Sequence, residues 1–306
     1  MRFTAEHPVG QQGCAPQLYQ GDGLARFARA TEDAGFGALA FTEHPAPSLK
    51  WLERGGHASL DPLAALAFCA AATTRLRLLT YLLVLPYRNP LLLAKTIATV
   101  DQLSGGRLTI GAGSGYLRSE FGALGVEFEE RGALLDEALD VLRELWTGES
   151  YVGEGRHFTA RGQVSVPGPV QLPHPPVWLG GNGRNARRRV ARTAQGWAPL
   201  LIGDEAAATT RTAALKSPAE LKDAVDELRE MLADAGRDPA TVDVQVQSRQ
   251  SDFPGKPGGS LEEHRHHVGE LAEAGVTWFV VRTSGADVGA ACDALAAYGR
   301  DVINAG

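Results

Sequence analysis

Apolar runs with the character of strands and amphipathic segments with helical spacing follow one another strictly along this chain, eight of each. The strand runs lie at residues 2–6, 38–41, 75–83, 108–111, 177–179, 197–201, 242–246 and 276–281. Between them the apolar period changes from strand-like to helical. Leu135, Ala138, Leu139, Leu142, Leu145 and Trp146, for example, lie on one helix face. Helix starts are signalled by Asp22, Asp61-Pro62, Asn89-Pro90, Ser217-Pro218 with Glu220, and Ser260 with Glu263. Ala34-Gly35, Ala235-Gly236 and Ala274-Gly275 repeat one turn from helix back to strand. Strict alternation of this kind calls for a parallel sheet covered by helices, and eight units in about 250 residues is the size of a (β/α)8 TIM barrel. The chain has 306 residues, which leaves about 50 for insertions. The stretch 147–176, rich in Gly and Pro, reads as an insertion of loops with a hairpin. One barrel domain over 1–306 is expected. An open doubly wound sheet would carry a glycine fingerprint after its first strand, and none stands there.

A net charge of −6 leaves no basic surplus to neutralise phosphates, so no nucleic-acid partner is expected. Cys14, Cys69 and Cys292 form neither a disulfide framework nor a metal-like spacing. They fit a reducing cytoplasm. Met1 to Pro8 lacks a signal-peptide apolar stretch, and no run of about 18 apolar residues suggests a membrane partner.

Chemistry in such barrels sits at the C-terminal ends of the strands. Strand 2 ends in Thr42-Glu43-His44-Pro45, and His44 is the side chain best suited to move protons near neutrality. A histidine bonded to a neighbouring loop is an equally good reading of that position. Glu43 points the other way along an extended chain and is expected to support the loop. Gly111 to Gly115 suits close approach of backbone to a flat ligand, or simply a tight turn. Gly180-Gly181-Asn182-Gly183 precedes a helix, where free N–H groups favour an anion, or where glycines merely close a loop. Of Arg184, Arg187, Arg188 and Arg189, most are expected at the surface. His264, His266 and His267 lie on an outer helix with poor metal spacing, so no metal site is expected.

Several of these segments together resemble the luciferase-like flavin-dependent oxidoreductases. They are Thr42-Glu43-His44, Leu85 to Pro90, Asp101 to Leu108, Gly113-Ser114-Gly115-Tyr116 with Glu120 and Phe121, Trp178 to Asn182, and Gly196-Trp197. Phe41 to Pro47 with Gly56-His57 look most like the branch that uses the deazaflavin coenzyme F420. The resemblance implies a barrel with an insertion and hydride transfer between F420 and an organic small molecule, with His44 as proton shuttle. It implies a cofactor ring over a strand 3 bulge at Thr80 and Tyr81, with a cis peptide at Tyr81-Leu82 or its neighbour. Cofactor contacts are implied at Gly113, Ser114, Gly115, Gly180, Gly181, Asn182 and Gly183. Trp51 and Tyr116 would wall the substrate, and Arg88 or Lys50 would meet an acidic cofactor tail. Tyr116 stands where F420 dehydrogenases carry a glutamate, which speaks against a sugar-phosphate substrate. The pocket mouth is expected from residues 8–20, 45–58 and 250–260. An FMN-dependent monooxygenase with a separate reductase is the alternative within the family. A barrel hydrolase or lyase without redox cofactor, and a flavin-binding protein without turnover, are alternatives outside it. Packing as a homodimer also follows from the resemblance alone.

Overall fold

The computed structural model describes residues 1–11, 13–255 and 259–305. Residue 12 and residues 256–258, parts of the expected pocket mouth, lie outside the described residues.

The chain opens with β1 (Arg2–Glu6), α1 (Gly21–Asp33), β2 (Ala38–Phe41), a short α2 (Leu49–Glu53) and α3 (Pro62–Ala72). Then follow β3 (Arg77–Val84), α4 (Pro90–Ser104), β4 (Leu108–Gly113), α5 (Arg118–Ala123) and α6 (Arg131–Trp146). A hairpin of β5 (Tyr151–Glu154) and β6 (Thr159–Gln163) precedes β7 (Val177–Gly180), α7 (Arg184–Thr193) and β8 (Gly196–Ala198). The last elements are α8 (Asp204–Thr210), α9 (Pro218–Asp234), β9 (Asp243–Val246), α10 (Leu261–Glu273), β10 (Trp278–Arg282) and α11 (Val288–Tyr298). Among the described residues, eight parallel strands close into a barrel in the order β1-β10-β9-β8-β7-β4-β3-β2. The hairpin stands apart as an antiparallel pair inside the expected insertion. The fold is therefore the (β/α)8 barrel expected from the alternation.

The helix starts follow the capping logic. Asp61 Oδ1 accepts the Ala64 N–H, Ser217 Oγ that of Glu220, and Ser260 Oγ that of Glu263. Asp22 departs from expectation. Helix α1 begins two residues earlier, at Gly21 with Gln20 as its cap, and Asp22 lies in the first turn, where its charge still favours the helix dipole. Strand β3 runs from Arg77 instead of residue 75, because Glu32 accepts the N–H groups of Thr74, Arg75 and Leu76 and holds them outside the ladder.

The Asp101–Leu108 segment lies at the opposite end of the barrel from the strand ends. Asp101 is fully buried, and its carboxylate accepts the N–H groups of Val170 and Gln171. Arg107 donates to the carbonyls of Ala70, Leu76 and Ser104. These residues fasten the insertion and the ends of α3 and α4 beneath the barrel.

Pairing between β3 and β4 shifts register between Thr80 and Leu83, and the Tyr81–Leu82 peptide is cis. Both features sit where they were expected. Gly111 makes the bulge possible, since a Cβ there would collide with the Thr80 carbonyl oxygen and press on Leu82. Gly111→Ala should destabilise the protein by about 2–3 kcal/mol, the upper part of the range for forced overpacking. A chemical-denaturation midpoint equal to that of the unmodified protein would contradict this account.

Candidate active site

A cavity of about 350 Å³ opens at the C-terminal ends of the strands, within the usual size range for small-molecule sites. A second of about 250 Å³ adjoins it and shares Ser114, Gly180, Gly181, Arg211 and Thr212 with it.

His44 follows β2 and lines the larger cavity while remaining buried. Its backbone exchanges hydrogen bonds with the Ser59 hydroxyl, which fixes the chain as it leaves the strand. Imidazole Nδ1 is 3.2 Å from Glu120 Oε2, and Nε2 is 3.3 Å from the Tyr116 hydroxyl. The Tyr87 hydroxyl donates to the same Glu120 oxygen at 3.0 Å, and the Ala46 N–H donates to the other at 3.2 Å. Glu120 is thus a buried acceptor. The network assigns the proton of neutral His44 to Nδ1, with Nε2 turned toward Tyr116 and the cavity. Burial, with the nearby Glu120 carboxylate adding to it, pushes the Tyr116 phenol up to about 12, so that it remains a donor. The same two causes raise the Tyr87 phenol.

Glu43 turns away from this group. Its carboxylate accepts the Val84 N–H at 2.6 Å and pairs with Arg88. Arg88 also reaches Asp61, so its guanidinium is committed to the loop and not to the mouth where an acidic tail was expected. Lys50 lies on α2 and is not among the groups that line the cavity. The arginines that do line it are Arg131, Arg211 and Arg282. Arg131 and Arg211 both lie over the Phe128 ring, at 4.0 and 5.2 Å from its centroid. Neither makes an ion pair among the described residues.

The bulge supplies one wall. Tyr81 and Leu82 line the cavity together with Gly113, Ser114, Gly115, Gly180, Gly181 and Asn182. A Cβ on Gly180 would collide with the Leu82 side chain, so glycine there leaves room for the bulged strand. Thr80 stands behind this wall, fully buried, and donates to the Gly111 carbonyl at 2.8 Å. Gly183 lines the smaller cavity at the start of α7. Asn182 ties three loops together. Its amide nitrogen donates to the Leu200 and Ala213 carbonyls, and its oxygen accepts the Leu200 N–H. Trp51 is one layer further out, with its ring 4.6 Å from that of His44 and 5.4 Å from that of His57.

Some neighbours carry structural work. Arg184 and Arg187 pair with Glu227, and Arg189 pairs with Asp136. His264, on the covering helix α10, is fully buried, and its Nε2 is 2.9 Å from the Tyr298 hydroxyl. Residues that sequence reading did not single out as site members also line the cavity. Among them are Glu6, His57, Tyr87, Glu120, Gln247 and Arg282. Glu120 stands in the Gly113–Phe121 run, but nothing in its spacing reveals that α5 turns it toward a histidine 76 positions away.

The sequence profile of the luciferase-like monooxygenases matches residues 7–250. An uncharacterised protein of Mycobacterium tuberculosis is 35% identical over 181 residues, 59% of this chain and 58% of its own length. The chain thus spans little more than half of that relative. An FMNH2-dependent dimethylsulfone monooxygenase of Pseudomonas putida is 34% identical over 125 residues, 40% of this chain and 34% of its own. Among solved structures, the monooxygenase RslO1 from Streptomyces bottropensis superposes with a TM-score of 0.80 at 20% identity, covering 100% of this chain and 99% of that one. An F420-dependent secondary alcohol dehydrogenase superposes at 0.75 with 16% identity, over 99% and 98% of the two chains. At such identities the superpositions speak for the fold, and the profile match for the lineage: the chain belongs to the luciferase-like monooxygenase family.

Proposed function

We propose that this chain is an F420-dependent oxidoreductase that exchanges a hydride with a small organic substrate. The observation that carries the reading is the buried His44, held by Glu120 on one nitrogen and open toward Tyr116 and the cavity on the other. Such an arrangement suits the proton that accompanies a hydride to or from oxygen. When bound, the deazaflavin ring supplies the two-electron chemistry, and the protein supplies position and protons. The residues present fit such a ring. The bulged Tyr81–Leu82 segment and Gly113, Ser114 and Gly115 offer a wall that a flat group can approach closely. The smaller cavity suits a phosphate, with the N–H groups at the start of α7, the Ser114 hydroxyl and the unpaired charge of Arg211 around it. Trp51 and Tyr116 would hold the substrate side, Trp51 by backing His44.

An FMN-dependent monooxygenase is the second reading, favoured by the 34% identical relative whose name specifies FMNH2. Titration with F420 and with FMN, followed by fluorescence, separates the two. F420 is expected to bind the more tightly. Binding of FMN alone would transfer the assignment to the second reading. Binding of neither would sink the oxidoreductase proposal and return a cofactor-free hydrolase or lyase to consideration.

A further inference from the structure

His57 is a titratable side chain of the larger cavity that the proton network around His44 does not use. It comes from the loop after α2, and contacts with α2 lay that loop down. The Gly56 N–H donates to the Trp51 carbonyl at 3.0 Å, and a Cβ on Gly56 would collide with the Trp51 indole. The chain therefore turns back over Trp51 and sets the next residue beside His44. The two imidazole rings lie 4.8 Å apart, edge to face.

Geometry fixes the tautomer of His57. Its Nδ1 lies 3.0 Å from the Ala58 carbonyl oxygen, which can only accept, so Nδ1 carries the proton. Burial above all, with His44 and Arg282 nearby, lowers the imidazole against the opposing pull of the Ala58 carbonyl and Glu120, and keeps it neutral at neutral pH. Nε2 is then a bare acceptor. It has no hydrogen-bond partner among the described residues, and it is not sealed off from solvent. Two neighbouring acceptors are already engaged. His44 Nε2 faces the Tyr116 hydroxyl, and the Glu120 carboxylate accepts from Tyr87 and Ala46 besides facing His44. A ligand donor beside the His44 site thus meets a fixed lone pair on His57.

We propose that His57 Nε2 is a specificity-determining acceptor, which selects small ketones or alcohols that carry a second donor, a hydroxyl or an N–H, on the carbon beside the reacting one. The proposal rests on the oxidoreductase reading, whose substrate class it narrows. The reacting oxygen stays on the His44 side. With the two rings in contact, one small molecule reaches both. Because its proton is held at Nδ1 by Ala58, His57 offers the cavity no donor. It therefore favours a ligand O–H or N–H and disfavours an ether oxygen at the same place, where two acceptors would face each other.

The test uses three probes built on one ring: cyclohexanone, its α-hydroxy derivative and the methyl ether of that derivative. Their affinities are read by NMR titration of the cofactor-loaded and the cofactor-free chain, with the imidazole nitrogens isotopically labelled. The hydroxy ketone should bind about tenfold more tightly than its ether, the upper value for one neutral hydrogen bond. The His57 Nε2 resonance should move toward its hydrogen-bonded position with the hydroxy ketone and stay in place with the ether. His57→Phe keeps a ring against His44 and Trp51 but removes the lone pair. It should bind the hydroxy ketone and the ether alike, with cyclohexanone unchanged. Equal affinity for hydroxy ketone and ether in the unmodified protein, no binding of the hydroxy ketone with or without cofactor, or a preference that survives His57→Phe overturns the proposal. So does an Nε2 resonance that stays in place while the hydroxy ketone binds, or one that shows Nε2 protonated at neutral pH. The resonance needs no variant, so a His57→Phe protein that fails to fold leaves the test intact. Failure to bind F420 or FMN sinks the oxidoreductase reading, whereas the probe ranking on the cofactor-free chain still reads His57.

Discussion

His44→Ala is expected to lower turnover by about 10²–10⁴-fold while F420 affinity stays within a few-fold, the loss typical of removing a general acid or base. The imidazole projects from the end of β2 into the cavity, and none of the groups that would hold the cofactor depends on it. His44→Asn should fare nearly as badly, since an amide can keep a hydrogen bond to Glu120 but cannot carry a proton. Glu120→Gln tests the support behind the histidine. It keeps the shape, removes the charge that orients Nδ1–H, and should cost about 10–100-fold, the usual scale for an orienting partner. Its signature is a displaced pH–rate profile with little change in KM. A histidine with only a structural role predicts another pattern, in which melting temperature and cofactor affinity fall together with activity. Steady-state kinetics, cofactor titration and thermal melts on the three variants decide between them, and normal turnover in His44→Ala removes the proton-shuttle role.

The second large effect concerns pH and stability. His7 is packed between Phe27 and Phe41 with its ring 4.9 and 4.8 Å from theirs, and burial pushes it down to about 3. Burial, assisted by His267, lowers His264 to about 4. Unfolded histidines titrate near 6.5, so below that pH the unfolded chain binds more protons and stability is lost as pH falls. Glu6 acts in the opposite sense. Its folded value of about 7 lies above the ordinary 4.5, so the folded chain holds the extra proton and stability is lost as pH rises through that window. Each pH unit of such a window is worth about 1.4 kcal/mol per group. By pH 4.5 the two histidines together should therefore cost about 5 kcal/mol, and Glu6 should offset about half of it. Glu6→Gln removes the offset. Relative to the unmodified protein it should gain about 3 kcal/mol between pH 4.5 and pH 8, and it should be the more acid-sensitive of the two. His7→Phe should show the reverse, a flatter acid limb. Urea unfolding at pH 4.5, 6 and 8 reads all three proteins, and parallel stability curves for the unmodified protein and Glu6→Gln would refute the linkage.

These two results depend on very different amounts of local information. The strand and helix pattern, the caps at Asp61, Ser217 and Ser260, and the glycine turns are legible because each lies within a few residues. Closing the barrel needed little more than their order, since eight alternating units have few other ways to bury both faces of a parallel sheet. The placement of His44 at a strand end followed from that frame. The segment 101–108, the strongest family signature in the chain, was legible too, yet its buried Asp101 and its Arg107 fasten the far end of the barrel and take no part in the cavity.

What only the tertiary structure decided is which side chains meet. Glu120 reaches His44 across 76 positions, and Gln247 reaches Glu6 across 241. Period-two alternation shows that Glu6 and Arg282 each belong to one face of a strand. Only barrel closure makes that face the inside and brings the two strands into register. Arg88 illustrates the same limit from the other side. Its place after strand 3 suggested the mouth, but Glu43 and Asp61, from other loops, had already claimed its charge. Local pattern records the periodicity of burial. Charge pairing and hydrogen bonding are set by distances of a few ångströms between segments far apart in the chain, and those distances exist only once the barrel has closed.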